Sequence, residues 1–328
     1  MKSAVRRALI ILCAVLLILS IFSMCRNVFY KSSDRKINIL VVFKSVENPM
    51  EFWETVREGV NTAAREYDVN VNITGPKTES DIDEQIKILN EAAINKPDAI
   101  ILAASDYNLV VPAVQKINEA GIPLITIDSG INSTLPASFI ATDNRAAGKK
   151  AGETMAGLVD ANKRVIIINH VKGSATAIER ENGAIEGLKE KSAGFKYETY
   201  YSDASEDKAY QITKDLMSKG DDVGGFIGLN ESSTIGIAKA VKELELKDKV
   251  KIIGFDSSLS EVLFLENGTI QASVVQKPFN IGYLGVKTAV QILKGEKVSK
   301  NIDTGSEVIT RENMYTKENQ KLLFHFNQ

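Results

Sequence analysis

The sequence predicts an α/β protein of two doubly wound parallel-sheet lobes, preceded by an apolar helix at the N-terminus. Three observations carry that expectation. Short β-branched runs alternate with segments of helical spacing, the pattern of helices packed on both faces of a parallel sheet. At 328 residues the chain is long enough for two domains. The alternation breaks at Pro123–Asn144, where a strand ending at Asp128 is followed, with no helix between, by a second ending at Asp143-Asn144. We read the break as the point where the chain leaves one lobe for the other, with a cleft between them.

In chain order, Lys2, Arg6 and Arg7 precede an apolar run from Ala8 to Met24, closed by Arg26. A positive start before such a run marks an export signal or a membrane anchor. The run is near the lower limit for spanning a bilayer, roughly 17 residues. Its leading charges favour a cytoplasmic N-terminus and an exported body. A retained anchor is the first reading. A lipid anchor on Cys25 is the second, because Met24 stands where a small residue is usual; release is the third, for want of a small-x-small cleavage site. The flanking arginines argue against a buried core helix.

Ile37–Phe43 is too short and too β-branched for a buried helix and reads as a central strand. Phe52–Tyr67 has helical spacing, with Phe52, Val56, Val60 and Ala63 on one face. Strand Val69–Ile73, helix Ile82–Ile94, strand Ala99–Ala103, helix Leu109–Ala120 and strand Pro123–Asp128 follow, Gly121 closing the third helix. After the break come helix Arg145–Val159, strand Arg164–Val171 and helix Ala177–Lys191. Strands Tyr197–Tyr201, Gly225–Leu229, Val250–Asp256 and Ile270–Gln276 then alternate with helices Lys208–Lys219, Ser232–Leu244 and Leu259–Glu266. Asn280–Leu293 is a last helix, and a turn at Gly295–Lys300 precedes an extended segment.

Composition narrows the function. With 44% hydrophobic and 25% charged residues the chain is an ordinary globular protein. A net charge of -2 and no basic run in the body exclude a nucleic-acid partner. Both cysteines, Cys13 and Cys25, lie in the N-terminal stretch, so the body has no thiol chemistry. His170 and His325 have no paired spacing, so no metal or other cofactor is expected. There is no GxSxG elbow, no Cys/His pair and no glycine-rich phosphate loop after the first strand.

The polar residues that stand out sit just past strands: Asp128, Asp143-Asn144, Asn230-Glu231, Asp256 and Gln276. Phe52 and Trp53 open the first helix, and Arg180 lies in the helix after the His170 strand. Taken singly, the acids and amides read as helix caps or turn formers, Trp53 as core, and Arg180 as part of a solvated face with Glu179 and Glu181. Taken together, they suit a polyhydroxylated ring. Carboxylates and amides take adjacent hydroxyls, arginine offers a fixed donor fork, and aromatic planes cover the C–H faces.

The tokens FWETVREG, PDAIILAASD, AGIPLITID, FIATDNRAAGKKAG, SATAIERENG, IGLNE, IIGFD and SVVQKPFNIG occur in that order and spacing. With them the chain, from Ile37 to Ile309, resembles the periplasmic sugar-binding proteins of the ribose-binding type, related to the ligand-binding domains of lactose-type repressors. The resemblance implies a type I clamshell whose sugar touches Phe52, Trp53 and Asp128 on the first lobe, and Asn144, Arg180, Asn230, Asp256 and Gln276 beyond the first crossing. It implies hinges at Thr142-Asp143, Gln276-Lys277 and Gly305-Ser306. The domains become 1–27 (signal or anchor), 28–36 (tether), 37–142 with 277–305 (first lobe), 143–276 with 306–316 (second lobe), and 317–328 (tail). Two departures stand out: Met50-Glu51 occupies the place of the family's Asn-Pro, with Asn48-Pro49 two residues earlier, and Ser129 replaces a frequent arginine.

The resemblance also implies a membrane-anchored binder of a monosaccharide, a pentose such as xylose or ribose. It presents its closed form to an ATP-driven sugar importer or to a sensor histidine kinase; in layout the chain is similar to anchored xylose-binding sensor subunits. A binder of a non-sugar signalling molecule and an anchored glycosidase are the competing classes. A repressor would need a helix-turn-helix where the apolar run lies.

Overall fold

Runs of β-branched residues too short to fill a helix form the strands, and the amphipathic segments between them cover the sheets. The computed structural model describes residues 20, 35–47, 50–219 and 222–324. Residues 1–37 form one unit and Asn38 onward another. The expected anchor, Ser20 apart, and both cysteines lie outside the described residues, as do Asn48, Pro49 and His325. Among the described residues no helix is long and apolar enough to cross a membrane.

The first sheet begins with β1 (Asn38–Val42), α1 (Glu51–Glu66), β2 (Asn70–Thr74), α2 (Ile82–Asn95), β3 (Ala99–Leu102), α3 (Val111–Glu119), β4 (Leu124–Ile127) and β5 (Ser138–Ala141). The second contains α4 (Asn144–Ala156), β6 (Arg164–Asn169), α5 (Ala175–Lys191), β7 (Lys196–Tyr201), α6 (Glu206–Ser218), β8 (Val223–Gly228), α7 (Glu231–Glu243), β9 (Lys251–Phe255), α8 (Leu259–Glu266) and β10 (Ala272–Val275). The chain then returns through α9 (Pro278–Leu293) and β11 (Asn301–Asp303) to the first sheet, and ends with β12 (Glu307–Thr310) and α10 (Lys317–Leu323).

Strand order is β11-β5-β4-β3-β1-β2 in one sheet and β12-β10-β9-β8-β6-β7 in the other. The two-lobed doubly wound expectation holds, with one correction. The strands pair in parallel except β12, which runs antiparallel to β10. The reason is geometric. β11 is parallel to β5, so the chain leaves the first sheet at its carboxyl edge and enters the second from that same side. The stretch expected as a tail contains α10, whose Leu323 is buried in the core under the second sheet.

The chain passes between sheets three times: between Ala141 and Asn144, between Val275 and Pro278, and between Asp303 and Glu307. The crossings are tied together. Asp303 accepts the N–H of Asp143 (3.0 Å) and of Gly305 (2.8 Å). Gly305 has φ +77°, open to glycine at no steric cost, and a Cβ there would lie 3.6 Å from Lys277 Nζ. Thr142 is buried, and Asp143 caps α4 by accepting the N–H of Ala146.

Two packing devices fix the cleft end of the fold. Gln85, fully buried on α2, donates to the carbonyls of Phe43 and Ala103 and accepts from Ser105 N–H. It therefore pins the carboxyl ends of β1 and β3, where the strand order reverses and a crevice opens. In the second lobe, Gly148 and Gly152 of α4 lie against the backbone of Arg180 and Ala184 on α5, and Gly183 and Gly187 of α5 against that of Arg145 and Lys149 on α4. A Cβ on either α4 glycine would sit 2.1 Å from a carbonyl oxygen of α5.

Candidate functional site

The carboxyl edges of both sheets face one another across a narrow cleft lined from both lobes. Crevices at such edges, where polar groups from several strand ends converge, are where open α/β sheets hold ligands.

Lys44, one residue beyond Phe43 at the end of β1, and Asp128, just past β4, form the floor of the first-lobe wall. Lys44 Nζ lies 2.6 Å from Asp128 Oδ2, both side chains buried. Beside them the first turn of α1 carries Phe52 and Trp53. The Trp53 indole donates to Glu79 Oε1 at 2.9 Å, and its ring is 5.0 Å from that of Phe43 and edge-on to Phe52 at 5.1 Å. An indole with its polar end tied down presents a rigid apolar shelf.

The second-lobe wall is built around Arg180. Its Nε donates to Asn144 Oδ1 and its Nη1 to the carbonyl of Leu229, both at 2.8 Å, while the guanidinium lies 4.5 Å over the Phe255 ring. Asp256 accepts from the Glu231 N–H (3.0 Å) and from Gln276 Nε2 (2.7 Å), leaving the buried Gln276 Oε1 without a partner. Asp128 and Asp256 hold the same place in the two lobes. Both have left-handed backbones, φ 58° and 79°, and each donates its N–H to the neighbouring strand. A non-glycine residue is rarely held there, and when it is, the site is usually functional.

Side chains also reach directly across the cleft. Lys44 donates to Thr176 Oγ1 at 3.1 Å, and Thr176 is 2.8 Å from His170 Nε2. Opposite, the Glu231 carboxylate accepts the N–H groups of Glu51 (3.1 Å) and Phe52 (3.0 Å).

The eight sequence-selected residues all come together, and all line the cleft except Asn144, which stands behind Arg180 and orients it. Asn230 is also a helix cap: its Oδ1 accepts Ser233 N–H. Lys44, Glu79 and His170 line the cleft too and were not among those selected. Lys44 and His170 obey the strand-end rule that found the others. Ser129 is fully buried with its Oγ unpaired, and the cation beside Asp128 comes from Lys44 instead.

Burial dominates the electrostatics. It pushes Glu79 and Asp256 up from ordinary carboxylate values, against the pull of Lys44 and Arg180 respectively. It pushes His170 well down, with Lys44 and Arg180 adding to the effect. Burial also moves Glu231 from 4.5 to about 8, helped by Asp256, although the two amide donors pull the other way. The cleft therefore sets two basic side chains, Lys44 and Arg180, among the carboxyls of Asp128, Glu79, Glu231 and Asp256, the last three pushed towards their neutral forms by burial.

The raised Glu231 makes stability depend on pH. An unfolded glutamate titrates near 4.5, so folding takes up a proton between there and about 8. Its stabilising contribution is complete below the lower value and is lost as pH rises to the upper one, by about 1.4 kcal/mol per pH unit within the window. Urea midpoints across that window are expected to fall more steeply in the native protein than in Glu231→Gln; parallel profiles would clear Glu231 of the effect.

A family model described as a periplasmic binding protein domain matches residues 39–297. The ribose import binding protein of Haemophilus influenzae is 29% identical over 85% of this chain and 93% of its own. An ABC transporter solute-binding protein from Agrobacterium vitis, solved with bound D-fucose, is 34% identical, covers 87% of this chain and 99% of its own, and superposes with a TM-score of 0.83. A carbohydrate transporter solute-binding protein from Agrobacterium radiobacter, solved with D-arabinose, gives 32%, 88%, 99% and 0.84.

Proposed function

The chain belongs to the periplasmic binding protein domain family, whose relatives here are solute-binding proteins and not enzymes, and from this premise we propose that it binds a neutral monosaccharide outside the cytoplasm. The observation that carries the reading is the cleft itself: Arg180, Asp128, Asp256 and Gln276 converge from two lobes opposite the Phe52–Trp53 shelf. Its acidic and basic groups are interspersed, with no excess of cations for an anion, which suits a neutral ring better than a uronate or a phosphate. Among neutral monosaccharides a single ring, a pentose such as ribose or xylose, is the reading, in keeping with a relative named for ribose import and another solved with D-arabinose.

In this reading the sugar bridges the lobes and favours the closed form, because only there do both walls reach it. Thr142, Asp143, Lys277 and Gly305 absorb the motion. An ATP-driven importer reads the closed shape, in keeping with the names of the relatives. A sensor histidine kinase is the second partner reading, favoured by Met24 where a lipid attachment site would place a small residue. Both fit a body anchored through Ala8–Met24.

A thermal-shift screen against monosaccharides tests the proposal. Binding raises apparent stability by mass action, so a hit at one hundred times its Kd is expected to add about 2.7 kcal/mol. Asp256→Ala is expected to erase the shift. A shift from no sugar, or one that survives in Asp256→Ala, would overturn the assignment.

A further inference from the structure

The lobes hold each other through carboxylates exchanged between helix starts. Glu51, the first residue of α1, accepts the N–H of Leu259, the first residue of α8, with both oxygens (3.1 and 3.0 Å). Glu231, the first residue of α7, accepts the first two N–H groups of α1, those of Glu51 and Phe52 (3.1 and 3.0 Å). Each lobe thus supplies an acceptor to donors that have none within their own helix. The positive end of a helix dipole also favours a carboxylate.

Local capping makes these donors available. The N-cap of α1 is Met50, which offers no side-chain acceptor, so the start of α1 relies on the other lobe. At α8 the capping box of Ser258 and Glu261 satisfies Ser258 and Glu261 N–H and leaves that of Leu259 over. Glu51 lies outside the set of cleft-lining groups, so its contact is separable from ligand chemistry. The donors served by Glu231 belong to the turn that carries Phe52 and Trp53.

Neither contact survives separation of the lobes. We propose that Glu51 and Glu231 are positioning residues that clasp the closed state and seat the aromatic shelf, setting how long the protein stays closed and not which sugar enters. The proposal rests on the sugar-binding reading above. It assigns a role to Met50-Glu51, the place where the sequence departs from the family's Asn-Pro.

The test uses full-length protein, with Trp53, the one tryptophan in the chain, as the fluorescent probe. D-ribose and D-xylose are mixed with native protein and with Glu51→Ala in stopped flow. Losing this exposed hydrogen bond is expected to speed dissociation about five- to tenfold with association unchanged. Leu259→Pro removes the donor at a helix position that tolerates proline, and is expected to act alike and to add little to Glu51→Ala. Small-angle scattering of the sugar-free variants is expected to show a larger radius of gyration than native. A purely structural cap would lower melting temperature without moving dissociation or radius. If a sugar binds the native protein but dissociation is unchanged in Glu51→Ala, the clasp is wrong. If neither sugar binds the native protein, the pentose reading fails, and equal sugar-free radii would then sink the clasp independently.

Discussion

Arg180→Ala is expected to abolish sugar binding, raising Kd about a thousandfold, as losing one partner of a buried charge constellation does. Three contacts go at once: the donation to Asn144, the donation to the Leu229 carbonyl and the stacking on Phe255. Asp256, already raised by burial, also loses the cation that holds it down. The sugar-dependent change in Trp53 fluorescence should vanish. Because the guanidinium also satisfies buried groups in its own lobe, the melting temperature should fall as well. Arg180→Lys separates the two effects. It keeps the charge but not the fork, so it is expected to recover stability more than affinity. Native-like affinity in both variants would remove Arg180 from the site.

Gly152→Val is expected to prevent folding or to cost about 3 kcal/mol or more, as forcing atoms into a packed backbone contact does. A Cβ at Gly152 would lie 2.1 Å from Ala184 O, and backbone cannot swing aside as a flexible side chain can. Gly157→Ala is the control. There the nearest atom is 3.5 Å away and φ is ordinary, so stability should change little. A urea midpoint for Gly152→Val matching that of the control would show that the α4–α5 contact is looser than its geometry. The same contact matters for function, because it sets Asn144 on α4 against Arg180 on α5.

The fold was largely legible because its signals are local. Val165–Ile168 reads as a buried strand from four consecutive apolar residues, and the structure buries them all. Strand-end position located Asp128, Asp256 and Gln276 without knowledge of contacts, since parallel connectivity sends those ends to one edge. The rule failed where local appearance misled. Lys44 follows β1 as an ordinary terminal charge. His170 was hidden inside an expected strand reaching Val171, whereas β6 stops at Asn169, whose side chain turns back to the carbonyl of Ala177. Glu79 sits in a polar loop and becomes notable only when the Trp53 indole meets it.

By itself, then, the sequence determined the two-sheet architecture, the break near Asp128 and Asn144, and most of the cleft-lining residues. All of these follow from hydrophobic period and strand-end position, which are properties of neighbouring residues. Only the tertiary structure decided the electrostatic balance, the antiparallel β12 and the contacts that join the lobes. Lys44 meets Thr176 across 132 residues of sequence, and Phe52 meets Glu231 across 179. Pairings that distant leave no mark on local pattern, because the burial that shifts Glu231 and the donors that hold it come from opposite lobes.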